Sequence, residues 1–128
     1  MPYEITVDEP HASVEIRFHG ETRHSEHIAA RDELLKICRD RGIERILVDA
    51  REIEIRGEPS MMEIFDFGAS WVEKKQGTRV LLAGVFPRDA RTRGELIFGD
   101  TVALNRGFYT RGFQDIEEAR RWLRHGGK

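Results

Sequence analysis

The sequence predicts an α/β fold with a mixed, mostly parallel sheet of about five strands and helices that alternate with the strands. Residues 3–8 and 12–18 alternate apolar and polar side chains, as half-buried strands do, and are close enough in sequence to form a hairpin. Residues 43–50 and 79–86 contain continuous apolar runs, which are typical of strands covered on both faces. Helical patterns separate these runs, and strands that alternate with helices form parallel βαβ units.

Four segments have the apolar spacing of helices, namely residues 25–41, 60–75, 89–106 and 115–124, and a short strand at 108–111 precedes the last of them. Gly42, Gly77 and Gly107 follow the first three helices and are natural helix stops. Asp115 and Glu118 have the spacing of a capping box at the start of the last helix. The predicted order of elements is β-β-α-β-α-β-α-β-α.

The size and composition favour one domain over residues 1–128. The chain has 128 residues, of which 39% are hydrophobic and 34% are charged, and this is a globular mixture. A net charge of −2 gives no strong attraction to nucleic acid. No apolar run approaches the roughly 20 residues of an integral membrane segment, and the first ten residues lack the pattern of a signal peptide. With a single cysteine as well, we expect a cytoplasmic protein.

Two motifs and the order of elements resemble the SpoIIAA-like proteins, which are relatives of the STAS domain and of SEC14-type lipid-binding domains. The motifs are ILVDA at residues 46–50 and F-x-D-x-E-E-A-x-x-W-L at residues 113–123. The likeness in layout covers nearly the whole chain, and ALNRGFYTRGFQDIEEARRWL is its closest stretch. The resemblance implies a STAS-like sandwich of helices and sheet that binds a partner or ligand and does not turn over a substrate.

The resemblance does not extend to the phosphorylation motif of the best-understood STAS-type proteins, the anti-anti-sigma factors. In those proteins a strand leads into Asp-Ser-Ser/Thr-Gly, and a partner kinase phosphorylates the first serine. When Asp49 is placed on the aspartate that ends this strand, residues 57–60 stand where the motif should be, and Glu58 occupies the phosphorylated position. The chain lacks both the motif's aspartate and its paired hydroxyls.

Ser60 has two interpretations. Ser60 and Glu63 have capping-box spacing, which predicts that the serine hydroxyl caps the second helix. A helix N-terminus also attracts anions, so the same position suits a binding site.

Several arginines are predicted near this helix start. Ligands of open parallel sheets bind beyond the carboxyl ends of the strands, where loops 51–59 and 87–94 should meet. These loops and the helix starts beside them supply the predicted ligand or partner site, which consists of Arg51, Arg56, Glu58, Ser60, Arg88, Arg91 and Arg93. A carboxylate, a phosphate or an acidic protein surface would suit the arginines. The alternative is a solvated charged loop, with Asp89 and Glu95 as local partners.

The second helix offers an alternative, apolar site. Met61, Ile64, Phe65, Ala69 and Val72 form the predicted core stripe. Phe67 and Trp71, at i and i+4, lie on the flank of this stripe, and Met62 adds an adaptable side chain nearby. These three residues are predicted to line a groove for an acyl chain or another apolar ligand, to form a homodimer contact, or simply to complete the core.

The remaining chemical groups predict no metal site, no cofactor and no catalytic centre. His24 and His27 are three residues apart, but a third ligand with firm spacing is missing. Cys38 falls on the apolar stripe of the first helix and is expected to be inert core. Asp49 could act as an acid or base, but no histidine, lysine or second acid is placed beside it.

These observations favour a non-enzymatic regulatory or ligand-binding module, which acts on a protein partner or a small anionic ligand. The alternative is a SEC14-like carrier of a lipid or another apolar molecule. A third interpretation is a small hydrolase or transferase that uses Asp49.

Overall fold

The computed structural model describes residues 2–57 and 59–128. In these residues the elements are β1 (Tyr3–Asp8), β2 (Ser13–Thr22), α1 (His24–Arg41), β3 (Arg45–Ile55), α2 (Met61–Lys74), β4 (Leu81–Val85), α3 (Ala90–Asn105), β5 (Tyr109–Phe113) and α4 (Ile116–Arg124). A short 3-10 turn joins β1 to β2. This order is the predicted one.

The strands form one sheet in the order β1-β2-β3-β4-β5. The β1–β2 pair is antiparallel, and each later pair is parallel. The predicted α/β fold with a mixed, mostly parallel sheet is therefore confirmed. The parallel strands follow chain order without reversal, so each of α1, α2 and α3 connects two neighbouring strands.

The helices cover the two faces of the sheet unequally. The larger core joins one face of the sheet to α1, α2 and α3, and it includes Ile16, Leu34, Leu35, Ile46 and Phe108. The smaller core joins the other face to α4, and it includes Leu47, Val85, Ala119 and Trp122. Because α2 packs mainly against α1 and α3, space remains between α2 and the sheet.

The loop predicted at residues 51–59 is wrong in its first half, because β3 continues to Ile55. The pairing of β2 with β3 shifts between Arg17 and His19, and it then resumes as far as Thr22 opposite Ile55. An extra residue in β3 at this bulge changes the alternation of side chains. Ala50 and Ile53 therefore both face the larger core.

The predicted core stripe of α2 is wrong at two positions. Met61 is 64% exposed and Phe65 is 36% exposed, whereas Ile64 and Gly68 are buried. The reason is the close approach of α2 to α3, where a Cβ on Gly68 would stand 2.4 Å from the Gly99 carbonyl oxygen. This contact turns the side of the helix that carries Gly68 inward.

Candidate functional site

An open surface recess lies beyond the carboxyl ends of β3 and β4, where the ligand or partner site is predicted. These strands are neighbours, as predicted, and Arg51 and Arg88 both line the recess. Three acidic residues, Glu52, Glu54 and Asp89, line it as well. The acids outnumber the arginines, so the recess has little net attraction for a small anion.

Most of the predicted arginines already have partners. Arg51 donates from Nε and Nη2 to the two carboxylate oxygens of Asp49, at 2.9 and 2.8 Å. Arg56 lies 2.6 Å from Glu21, and Arg91 lies 3.7 Å from Glu95. Arg93 donates to the main-chain carbonyl of Arg88 at 3.1 Å. Glu58, the remaining charged residue of this predicted site, lies outside the described residues.

Ser60 is the N-cap of α2, so its predicted structural role is confirmed. Its hydroxyl accepts from the Glu63 N–H at 3.0 Å, and the Glu63 carboxylate accepts from the Ser60 N–H at 2.9 Å. These two bonds form the capping box and satisfy amide donors of the first turn.

Asp49 is engaged as an ion-pair partner. Burial alone would raise the pKa of Asp49, but hydrogen bonds from the side chain and backbone of Arg51 hold that pKa below its usual value. An ionised, paired carboxylate is poorly suited to general acid chemistry near neutral pH.

An apolar cavity of about 100 Å³ lies between α1, α2, α3 and the sheet. Small side chains on its walls, Ala30, Ala50 and Ala103, leave the space unfilled. Gly84 of β4 does the same, because a Cβ there would have no neighbour closer than 3.7 Å. A second recess of about 80 Å³ adjoins the cavity and shares several lining residues with it, namely His27, Phe67, Trp71, Leu96 and Asp100.

Phe67 and Trp71 form the wall that α2 contributes to this cavity. Their ring centroids lie 6.0 Å apart in an edge arrangement, and Trp71 also packs against the buried Phe108. The Arg31 guanidinium lies 5.3 Å from the Phe67 centroid. Met62, the third predicted groove residue, is 67% exposed and is not part of this wall.

Four polar side chains reach this apolar space: His27, Arg31, Asp100 and Thr110. Thr22 Oγ1 donates to the Glu54 carbonyl, so the His27 Nε2–H donates to Thr22 Oγ1 at 2.7 Å. Burial lowers the pKa of His27 to about 4, and the ring is therefore neutral near pH 7. The hydrogen bond to Thr22 engages the Nε2 atom of His27. The other three side chains are therefore the candidate ligand contacts.

Asp100 is the unusual member of this group. Burial raises the pKa of Asp100 to about 7. Its side chain lines both the cavity and the adjoining recess, which accounts for its intermediate exposure. A carboxyl group with a perturbed pKa inside an apolar pocket marks a candidate binding site.

The sequence interpretation missed Arg31, Asp100 and Thr110. A signal existed for two of them, because each is a charged residue on the apolar side of a helix. Arg31 is followed by the buried Leu34 and Leu35, and Asp100 is followed by the buried Val102 and Ala103. Charged residues at such positions are rarely buried without a reason.

A scan against protein-family models found no match to this chain, and a search of curated proteins found none either. No described helix combines the length and the apolar character that a membrane crossing requires.

Proposed function

We propose that this chain is a non-enzymatic, STAS-like binding module that holds a small, mainly apolar molecule in the cavity beneath α2. The observation that carries the proposal is the cavity itself, which is apolar, walled by aromatic rings and supplied with a few polar groups. Ligand sites commonly have this composition. The mixed sheet and its helices are compatible with the STAS-like layout. The proposed compartment is the cytoplasm.

The cavity volume limits the class of ligand. An engineered apolar cavity of about 150 Å³ binds benzene. The cavity described here, at about 100 Å³ with an adjoining recess, suits a molecule built around one ring or a short chain. A phospholipid tail would need considerably more room, so we favour a small ligand over the lipid of SEC14-type carriers.

Toluene is a suitable probe, because it tests the cavity without any polar contact. We expect toluene to shift the methyl NMR resonances of residues that line the cavity, such as Leu34, Val48 and Leu82. Phe67→Ala should weaken this binding about tenfold, because the variant removes an aromatic wall. Met62→Ala is the matched control on the same helix, and it should leave the affinity unchanged because Met62 is exposed.

Two outcomes would contradict the proposal. The first is that toluene leaves the methyl resonances at the cavity unmoved. The second is that Met62→Ala weakens binding as much as Phe67→Ala does. Gly84→Ala provides a second variant, since its new Cβ fits at ordinary contact distances and narrows the cavity without distorting the sheet.

A second candidate function is the binding of a protein partner at the carboxyl edge of the sheet. Met61 and Met62 are largely exposed at the start of α2, and Arg88 is exposed at the neighbouring loop. A surface that combines exposed methionines, arginines and acids suits a protein more than a small anion. Phe67 and Trp71 face the cavity, so a homodimer contact would require other residues.

A further inference from the structure

Asp100 is a carboxyl group without a partner inside the proposed ligand cavity. It has no hydrogen bond or ion pair to any residue that the structure describes, although it stands among apolar side chains. Its Oδ2 atom lies above Gly84, 3.8 Å from the position that a Cβ would occupy there. The absent side chain of Gly84 therefore leaves a gap of about one methyl group beside the carboxyl group, and the Phe86 ring borders the same gap at 3.7 Å.

Thr110 is a second polar group without a partner at the same cavity. It is 7% exposed, and its Oγ1 is buried without a hydrogen bond to any described group. Thr110 lies in β5, opposite Leu82 of β4. Gly84 of β4 lies opposite Gly112, so Thr110 is two residues before the partner of Gly84. Buried hydroxyls nearly always have a partner, so Thr110 Oγ1 is available to a polar group that enters the cavity.

The other charged groups near Asp100 do not neutralise it. On α1, Arg31 donates to Asp32 at 3.0 Å and to Ser70, so its charge already has a partner. His27 is neutral near pH 7, because burial lowers its pKa to about 4. His24 and Glu95 line the adjoining recess. When Asp100 is ionised, the cavity thus contains a carboxylate that no described cation neutralises. Aromatic rings, which attract cations, line the same cavity.

We infer that the cavity binds a small organic amine, with its apolar ring against Phe67 and Trp71 and its ammonium group between Asp100 and the Thr110 hydroxyl. This inference rests on the proposed function and specifies the ligand class. An ammonium group offers three N–H donors, which match the carboxylate oxygens and Thr110 Oγ1. A ligand carboxylate at the same place would be repelled by Asp100.

Three probes that share one ring and differ in a single group test this assignment: toluene, benzyl alcohol and benzylamine. Titrations followed by calorimetry at pH 8, where Asp100 is ionised, should show benzylamine binding at least tenfold more tightly than benzyl alcohol. This preference should decrease at pH 6, where Asp100 is mostly protonated. Asp100→Asn should remove it at both pH values while toluene still binds.

Two further variants test the contributions of the Thr110 hydroxyl and of a second acid, Glu95, to the binding of benzylamine. Thr110→Val keeps the shape of the side chain and should weaken benzylamine about threefold without affecting toluene. Glu95→Gln removes a negative charge from the adjoining recess and should leave the amine preference intact.

The inference is overturned if toluene and benzyl alcohol bind but benzylamine binds no more tightly, or if the preference persists in Asp100→Asn. In both cases the cavity remains a ligand site, and only the amine assignment fails. If none of the three probes shifts the methyl resonances at the cavity, the proposed function fails as well.

Discussion

Asp100 and His27 are half-buried titratable residues whose effects on stability change with pH in opposite directions. His27 has a pKa of about 4 in the folded protein and 6.5 as a free group, so its contribution is complete above pH 6.5 and is lost as the pH falls towards 4. Asp100 has a folded pKa of about 7, raised from 3.8, so its contribution is complete below pH 3.8 and is lost as the pH rises towards 7. The two effects oppose each other between about pH 4 and 6.5.

Asp100→Asn should separate these effects, because it removes the carboxyl group and keeps the shape. We expect the free energy of unfolding of the variant, relative to the wild type, to increase between pH 5 and pH 8. The pKa shift sets an upper limit of about 4 kcal/mol on the full effect, and the partial exposure of the side chain reduces it. Urea denaturation at both pH values measures the difference. If the difference between wild type and variant is the same at both pH values, burial does not raise the pKa of Asp100. Glu95→Gln, which alters a partly exposed acid on the same helix, is the control.

The sequence predicted residue roles that depend on neighbouring residues in the chain better than roles that depend on the surroundings in the folded protein. Ser60 was predicted as a helix cap because a serine and a glutamate three residues apart are sufficient for a capping box. Cys38 was predicted as core from its place in the apolar stripe, and it is buried, with its pKa raised to about 11 by that burial. The raised pKa of Asp100 depends on three helices and a sheet that surround it, which no local pattern contains.

At the scale of the elements, the closest helix contact is between α2 and α3. Gly68 and Gly99 meet there, and this contact determines which side of α2 faces inward. The apolar spacing in the sequence predicted both helices. It did not predict their contact, because two glycines carry no apolar signal. By contrast, the sequence does contain a signal for the extension of β3, although a loop was predicted there. The alternation of Glu52, Ile53, Glu54 and Ile55 is typical of a strand.

Gly68→Ala and Gly94→Ala should have opposite effects on stability. A Cβ at Gly68 would stand 2.4 Å from the Gly99 carbonyl oxygen, so α2 and α3 must separate, at a cost of about 1–3 kcal/mol. A Cβ at Gly94 meets no atom within 4 Å, so the alanine should stabilise α3 by roughly 0.5–1 kcal/mol. Thermal unfolding of the two variants tests this pair. Equal melting temperatures for both variants would show that the two helices are not in close contact.

For the whole molecule, the order of the strands bears on where a ligand binds. Ligands of open α/β sheets bind at the point where the strand order reverses. In the described sheet the parallel strands β2 to β5 follow chain order, and α1, α2 and α3 lie on one face. The fold class was predictable from the alternation of helices and strands. The sequence did not predict that the strand order lacks a reversal. For this reason the sequence indicated a site at the carboxyl ends of the strands, whereas the structure contains a cavity between the helices and the sheet.

The double variant Arg88→Glu with Arg91→Glu separates the two locations. Arg88 lines the recess at the carboxyl ends of the strands, and neither arginine lines the cavity, so the affinity for toluene should stay within twofold of the wild-type value. The melting temperature should change little, because exposed charges contribute little to stability and a glutamate in the first turn of α3 suits the helix dipole.

The matched control, Arg88→Gln with Arg91→Gln, removes the charges without reversing them. A large loss of toluene binding in the glutamate variant alone would place the ligand at the charged edge. An unchanged affinity in both variants would leave the edge available to a protein partner, whose binding the charge reversal should weaken most at low salt, where screening is least.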